Sequence, residues 1–418
     1  MIRIALLNPL FAPDLFGGLE RVLLNLTGAL SQRGAVIRVL CENRGAQDVE
    51  RIRPGLVVHR VPPMELGRKW RWADRMRCNW WDEALRQLPE ALEADVLWAH
   101  DPFAASAVLR AGRAEKLLYR PTFCYEAMDR VGQCAAELAP LRRGRLARKL
   151  DKLCYESARW VIAESHNLRR QQELYYGERD EVHVIHNGVS VCGEPRERSE
   201  ARRHLGVRTP EDELLVGFAG RPGDAVKDLP FLLQAMRWTK ASPAPKLVVI
   251  GDDEHRYRGP IEAARLGVIE RVVFAGKRDD LPELWPGLDA LVLPSRFETF
   301  GNVLLEAQAH GVPVVARRDD VLSRPAVHVP GPELIEDGVT GLLVDAHDPG
   351  DLSQAIDRLA DEPELRESLG EAARQARAGQ DWGYVADRYL DLLDPEQDQG
   401  FLPNDPWQGG QPGLSLAG

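Results

Sequence analysis

Ala290-Leu-Val-Leu-Pro-Ser-Arg-Phe-Glu-Thr-Phe-Gly-Asn-Val-Leu-Leu-Glu-Ala-Gln-Ala-His-Gly-Val-Pro-Val-Val-Ala316 decides the fold class of this chain. Its first four residues are wholly apolar and stop at Pro294, as a strand buried on both faces of a parallel sheet does. Asn302 is placed to cap a helix, Gly311 to end it, and Val312–Ala316 to form the next strand. Strand, loop, helix and parallel strand in that order make an α/β unit. The loop at a strand's carboxyl end then faces a ligand crevice, and the free N–H groups of the following helix attract anions. Glu298 lies in that loop and Glu306 one turn into the helix. An ionised carboxylate only accepts hydrogen bonds, so each suits a pair of sugar hydroxyls, Glu298 at a hexose and Glu306 at a ribose. Phe300, Gly301, Asn302 and Val303 between them let the backbone approach the same ligand.

The same unit recurs outward in both directions. Strands are expected at Leu214–Ala219, Lys246–Ile250 and Arg271–Phe274, alternating with helical stretches, so the second half holds one parallel sheet. In the first half, strand Ile2–Leu7 leads through Gly17 and Gly18 into a helix over Leu19–Gln32, with Leu19, Val22, Leu23, Leu26 and Leu30 at helical spacing. Strands at Val36–Leu40, Asp95–Ala99, Trp160–Ala163 and Val182–Ile185 complete a second sheet.

The spacing Glu298-x7-Glu306 in this setting resembles the signature of the retaining glycosyltransferases of family 4, which have the GT-B fold. The resemblance spans residue 1 to about 394. It implies two Rossmann-like parallel-sheet domains facing across a cleft: an acceptor domain over 1–187, a nucleotide-sugar domain over 188–379, and a helix over 380–394 that closes back on the first domain; beyond it, the Pro, Gly, Gln and Asn content of 395–418 reads as a disordered tail. The resemblance also implies roles. Arg221 and Lys227, in Gly220-Arg-Pro-Gly-Asp-Ala-Val-Lys227, resemble the family's pair of cations on the leaving diphosphate. The family often has Gly after this Lys; here Asp228 follows, which puts the path of the loop in question. Gly17-Gly18 matches the glycine pair of the first loop. His100, in His-Asp-Pro102 at a strand end, would contact the transferred sugar near C6. Gly251 and Lys277 would line the base pocket. The resemblance implies a nucleoside diphosphate hexose as donor, UDP-hexose first, with uracil and guanine both open.

Composition narrows the classes. The 418 residues suit two to three domains, and 44% hydrophobic residues suffices for sizeable cores. No run approaches the ~18 apolar residues of a membrane-spanning helix, and the amino-terminal apolar stretch is too short for a signal peptide. The expected location is the cytoplasm. The net charge of −10 argues against general nucleic-acid binding. It is unevenly spread, +5 over residues 1–188 and −15 over 189–418. Six cysteines with no C-x-x-C pair read as reduced thiols. No D-x-D stands at a strand end, so transfer is expected to need no metal, and no cofactor other than the donor itself.

One surface stands out. Residues 68–81 hold four Trp and five Lys or Arg, with Trp72, Met76 and Trp80 on one helical stripe and Arg68, Arg71 and Arg75 beside it. Residues 141–153 add six cations against one Asp. These suit either packing on their own domain with solvated Arg, or peripheral docking on the anionic inner face of the cytoplasmic membrane. The leading expectation is hexosyl transfer to a saccharide or glycolipid acceptor in cell-envelope polysaccharide or lipopolysaccharide assembly. The alternatives are a soluble sugar-phosphate synthase or other small-acceptor transferase and, from another class, a catalytically silent glycan- or lipid-binding module. The joint presence of Arg221, Lys227, Glu298 and Glu306 speaks against the silent module. A nicotinamide dehydrogenase is disfavoured because the first strand and helix lack G-x-G-x-x-G.

Overall fold

The computed structural model describes residues 1–12, 17–63, 73–134, 138–139, 142–190, 196–208, 213–252, 258–318, 320–321, 328–329 and 333–394. The first sheet contains β1 (Arg3–Leu7), β2 (Val36–Glu42), β3 (Val49–Arg53), β4 (Leu56–Val61), β5 (Val96–Ala99), β6 (Leu117–Tyr119), β7 (Trp160–Ala163) and β8 (Val182–Val184). Their order is β3-β4-β2-β1-β5-β6-β7-β8, parallel throughout except for the β3–β4 pair at one edge. The second sheet contains β9 (Leu215–Ala219), β10 (Lys246–Ile250), β11 (Val272–Gly276), β12 (Ala290–Leu293) and β13 (Val314–Arg317). After a short antiparallel pair, β14 (Asp320–Val321) with β15 (His328–Val329), it ends in β16 (Leu342–Val344). Its order is β11-β10-β9-β12-β13-β16, all parallel.

Helices cover both faces of each sheet, as parallel strands buried on two sides require. Against the first sheet lie α1 (Gly18–Gln32), α2 (Ala73–Gln87), α3 (Pro102–Arg110), α4 (Tyr125–Cys134), α5 (Arg145–Ser157) and α6 (His166–Tyr176). The second half adds α7 (Arg198–His204), α8 (Leu229–Trp238), α9 (Arg258–Arg265), α10 (Leu281–Leu284), α11 (Asn302–Ala309), α12 (Pro349–Asp361) and α13 (Pro363–Ala376). The last helix, α14 (Trp382–Leu393), returns to the first sheet. Its Val385, Ala386, Tyr389 and Leu393 share a buried core with Ile4, Leu6, Leu26 and Trp98, and Arg33 pairs with Asp387 on its outer side. The two halves are thus tied by sequence-distant packing as well as by the chain crossing between them.

Each sheet reverses strand order once. Leaving β1, the chain builds β2, β3 and β4 on one side, then returns to place β5 on the other; leaving β9 it builds β10 and β11 before placing β12. Such switch points open a crevice at the carboxyl ends of the flanking strands. Here those four ends carry Gly17-Gly18, His100, Gly220–Asp228 and Pro294–Gly301.

Strands β3, β4, β6, β14, β15 and β16 are absent from the sequence expectation. β3 is an edge strand of mostly charged residues, Val-Glu-Arg-Ile-Arg, in which charge blunts the edge and erases the apolar signal. β6 and β16 are three residues each and take their definition from their neighbours. The expected tail, residues 395–418, lies outside the described residues.

Candidate functional site

Two loops of the second half lie side by side at its switch point. After β9, the chain turns through Gly220; Gly251, at the end of β10, packs so close that a Cβ on it would stand 1.7 Å from the Gly220 carbonyl oxygen. Gly251 therefore lets two strand ends meet, with its N–H bonded to the Gly276 carbonyl at 2.9 Å. Further along, Val226 O accepts from Arg296 N at 2.7 Å, and the Lys227 ammonium pairs with the Glu298 carboxylate. Two residues expected on adjoining groups of one ligand, the diphosphate and the hexose, thus meet each other, both largely shielded from solvent. Arg221 does not join them: its side chain is 73% exposed and pairs with Asp224 at 2.6 Å. Asp228 adopts φ +48°, ψ +48°, the left-handed conformation that a glycine takes freely, so the loop follows a glycine-like path.

The start of α11 corrects one expectation. The capping position belongs to Gly301, at φ +90° with no side-chain cap, while Asn302 is the first helical residue. The Asn302 amide oxygen instead accepts from Asn187 Nδ2 at 2.8 Å. No capping side chain occupies the first N–H groups of this helix, the arrangement that suits an anion. Phe300 is buried and stacks on His186 at 5.4 Å, a packing role for its ring. Val303 is half-buried against the core beneath. Glu306 is half-buried; burial lifts its pKa above the ordinary 4.5, partly opposed by the Arg21 guanidinium reaching across from α1. Arg21 also lies 3.9 Å from Asp279. Lys277 is half exposed and faces the same Asp279 at 3.6 Å.

From the first half, Gly18 approaches this helix: a Cβ on it would lie 3.5 Å from Asn302 Nδ2. His100, at the end of β5, is 3% exposed, stacked on Trp98 at 5.2 Å. Burial, joined by the Arg120 guanidinium, pushes its pKa well below 6.5, so the ring is neutral. Asp101 serves as the cap of α3, accepting from Phe103 N at 2.8 Å and Ala104 N at 3.0 Å, and burial raises its pKa to about 6.

A polar seam joins the halves behind these groups. Arg120 Nη2 donates to Asn187 Oδ1 at 2.5 Å and lies 3.3 Å from Glu164, whose other oxygen accepts from Thr299 Oγ1 at 2.9 Å. Ser165 Oγ donates to Thr299 O at 2.6 Å. Glu333 accepts from the first N–H groups of α6, His166 at 3.1 Å and Asn167 at 3.0 Å, and lies 2.8 Å from His186 Nε2. These residues hold the Glu298 loop and the start of α11 against the first half.

The Trp and Arg stretch divides. Arg71 and Trp72 lie outside the described residues. Trp80 is half-buried: its indole N–H donates to Pro62 O at 2.9 Å and it packs edge-on against Trp81 at 4.7 Å. Arg75 is exposed on α2. Within the basic run, Arg148 turns inward to Glu126 at 2.9 Å, and Arg143 lies over Phe123 at 5.1 Å. Arg77, over Phe103 at 5.3 Å, is close enough to Arg143 to help burial lower its pKa. Phe123 in turn belongs to an apolar cluster with Phe297, Ala225 and Val226. Arg143 therefore stands over a ring packed on the cluster that Phe297, Ala225 and Val226 share, with Arg77 close to it.

Sequence reasoning missed Arg21, Arg120, Glu164, Asn187 and Glu333. Arg120 directly follows β6, and strand-end logic would have found it had so short a strand been recognised. Asn187 was legible only as part of an Asn-Gly turn. Arg21 carries no local signal, since only the facing of the two sheets brings it to Glu306. Among the described residues, no group of three or more His, Cys, Asp or Glu is placed to hold a metal ion, and no helix is long and apolar enough to cross a membrane.

Comparison with known proteins follows the same division into halves. A family model for Glycosyltransferase Family 4 matches residues 16–191, and one for Glycosyl transferases group 1 matches residues 213–362. D-inositol 3-phosphate glycosyltransferase of Stackebrandtia nassauensis is 29% identical over 396 residues, covering 90% of this chain and 86% of the relative. Alignments with other relatives of that name run over about half of their length. Sucrose-phosphate synthase of Thermosynechococcus elongatus superposes with a TM-score of 0.78 at 22% identity, covering 94% of this chain and 98% of that one. Anabaena HepE in complex with UDP-glucose gives a TM-score of 0.69 at 22% identity over 94% and 99% of the two chains. These structural likenesses are of fold. Two facing parallel sheets, each with its switch point at a common crevice, and a matching family model on either side of it, make this chain a glycosyltransferase of family 4 with the GT-B fold.

Proposed function

We propose that the enzyme transfers a hexose from a UDP-linked donor to a hydroxyl of a small phosphorylated sugar or cyclitol, with retention at the anomeric carbon and without a bound metal ion. The observation that carries this reading is the pairing of Lys227 with Glu298 between two loops at the switch point, with Glu306 half-buried one turn into the adjoining helix. Lys227 would turn to the diphosphate, freeing Glu298 to accept from the hexose hydroxyls while Glu306 accepts from the ribose. Arg221, exposed on its loop, would fold in over the same phosphates. Gly251 and Lys277, with the N–H groups that Gly301 and Asn302 begin, would complete the donor site. His100 is neutral, so it would hydrogen-bond an uncharged hydroxyl near C6 of the sugar. In the same-face displacement, the acceptor oxygen bonds to the anomeric carbon as the bond from that carbon to the diphosphate oxygen breaks. The departing phosphate takes the acceptor proton. The protein then contributes orientation and charge stabilisation, the latter worth about 2.7–4 kcal/mol per preorganised group.

Uridine is favoured as the base because the fold neighbour HepE binds UDP-glucose. A phosphorylated acceptor is supported by Arg143, over a ring packed on the cluster of Phe297, Ala225 and Val226, with Arg77 close to it, and by the names of the relatives. A second reading is a glycolipid acceptor in cell-envelope assembly, met at an anionic membrane surface. It is favoured by Leu146 and Leu153, exposed on α5 among Arg145, Lys149 and Lys152. The test is a screen of nucleotide sugars for thermal protection, since a ligand bound only by the native state raises its stability. Turnover in EDTA follows, with inositol phosphate, fructose phosphate and glycolipid offered as acceptors. Lys227→Ala and Arg221→Ala should slow turnover in EDTA, Lys227→Ala by about a hundredfold or more. Strict dependence on Mg²⁺ or Mn²⁺ with little effect of either substitution overturns the metal-free clamp, and transfer to glycolipid alone selects the second reading.

A further inference from the structure

Residues 226–228 and 296–298 are zipped at three consecutive points, and only the middle one involves groups that a donor would claim. Val226 O accepts from Arg296 N at 2.7 Å. Lys227 pairs with Glu298. Asp228 Oδ2 then accepts from Arg296 Nε at 2.7 Å and from Arg317 Nη2 at 2.8 Å. Arg317, at the end of β13, is itself fixed with its guanidinium 3.7 Å from the centre of the Phe231 ring on α8. One carboxylate thus ties the loop after β12 and the end of β13 to the first residue before α8.

The backbone at this position shows that the carboxylate is kept against a local cost. Asp228 is the one non-glycine residue with positive φ among those described, and it is 5% exposed. The left-handed conformation crowds the Cβ of an L-residue, and glycine would adopt it freely. What glycine could not do is neutralise Arg296 and Arg317, and a buried guanidinium without its acid is strongly destabilising.

We infer that Asp228 is a positioning residue of the donor site: by holding Arg296 and Arg317, it keeps the Lys227 loop in register with the Glu298 loop when Lys227 turns from Glu298 to the donor diphosphate. This rests on the donor reading proposed above. In the unliganded protein the middle contact helps to hold the loops together. Once a donor takes Lys227, the flanking contacts become the polar ties between the two loops, beside the packing of Phe297 with Ala225 and Val226, and help to set the spacing between the cation on the phosphates and the carboxylate on the hexose. The nucleoside end, governed by Glu306 and the Gly220–Gly251 contact, does not pass through Asp228.

The test compares UDP-glucose with UMP by calorimetry on wild type, Asp228→Asn, Arg296→Gln and the double variant. Asparagine tolerates the left-handed conformation and keeps one acceptor oxygen, so Asp228→Asn removes charge with little change of shape. Each single variant should weaken UDP-glucose about tenfold, and the double variant by no more than about threefold beyond a single, because both remove the same tie. UMP affinity should stay within about twofold in all of them, a selectivity that general loosening of the domain would not give. UDP-glucose affinity within twofold of wild type in both single variants, or UMP falling as far as UDP-glucose, overturns the inference. If Asp228→Asn does not fold, Arg296→Gln decides by the same two ligands, its side chain being 33% exposed. Wild-type protein that binds no UDP-glucose strikes the donor reading and the inference with it; wild-type binding with unchanged variants strikes the inference alone.

Discussion

Glu298 and Glu306 are seven residues apart between them in sequence and sit in opposite electrostatic surroundings. Glu298 faces a cation in contact, whereas Glu306 is half-buried with Arg21 acting across the crevice, and desolvation prevails to raise its pKa above 4.5. Folding therefore favours the protonated form of Glu306, and its ionisation costs stability as pH rises from 4.5 through the raised value. Ribose binding needs the ionised form. Affinity for UDP should accordingly decline on the acid side at a higher pH than an exposed glutamate would produce, and Glu306→Gln should remove that limb. Calorimetry separates the two roles: Glu306→Ala weakens UDP and UDP-glucose alike, while Glu298→Ala weakens UDP-glucose and leaves UDP nearly unchanged. Equal losses for both ligands in both variants would remove the assignment. Both glutamates were legible in sequence because residue type and strand-end position suffice to mark them. Arg21 and Arg120, which set the charge around Glu306 and His100, were not, since nothing local distinguishes them from solvated arginines.

Helices and loops show where local pattern is enough and where it misleads. The segment after β12 reads as loop, helix and strand from its apolar spacing alone, yet the cap assigned to Asn302 belongs to Gly301, because Asn187 from the other half engages the Asn302 side chain. Helix α5 is amphipathic by sequence, and the fold decides which face is used: Ala147, Asp151, Cys154 and Tyr155 go inside, leaving Leu146 and Leu153 out with Arg145, Lys149 and Lys152. Docking of this face on anionic lipid is the element-scale prediction, and each surface cation contributes about 1 kcal/mol there. Liposome flotation should show binding to anionic but not neutral vesicles, release by high salt, and loss in Leu146→Glu/Leu153→Glu. Equal flotation with both lipids, or an unchanged double variant, returns α5 to an ordinary solvated helix. Trp80, by contrast, is half-buried, with its indole N–H on Pro62 and its ring against Trp81.

At the scale of the molecule, the halves are joined by α14, by the Arg120–Asn187–Asn302 seam and by Glu333 at the start of α6. The His186 ring and the two α6 N–H groups outweigh burial and hold the Glu333 carboxyl below 4.5. A depressed acid contributes stability that is present above its unfolded value near 4.5 and lost as pH falls through the folded one. Glu333→Gln should therefore destabilise by about 1–3 kcal/mol at neutral pH, read as a lower Tm, and the gap to wild type should narrow below about pH 4.5; a gap independent of pH would mean that the charge does no holding. The sequence by itself determined two parallel sheets, the strand-end loops and the carboxylates, cations and glycines that those loops carry, because apolar periodicity and residue chemistry are local properties. Only the tertiary structure decided that Lys227 rests on Glu298, that Arg221 stays outside, that Asp228 replaces a glycine by tying down two arginines, and that Arg21 and Glu333 reach from one half to the other. Arg221 aside, which pairs with Asp224 three residues on, these are pairings between residues far apart in the chain, fixed by how strand ends meet within and between the two sheets, and no short window along the sequence contains both partners.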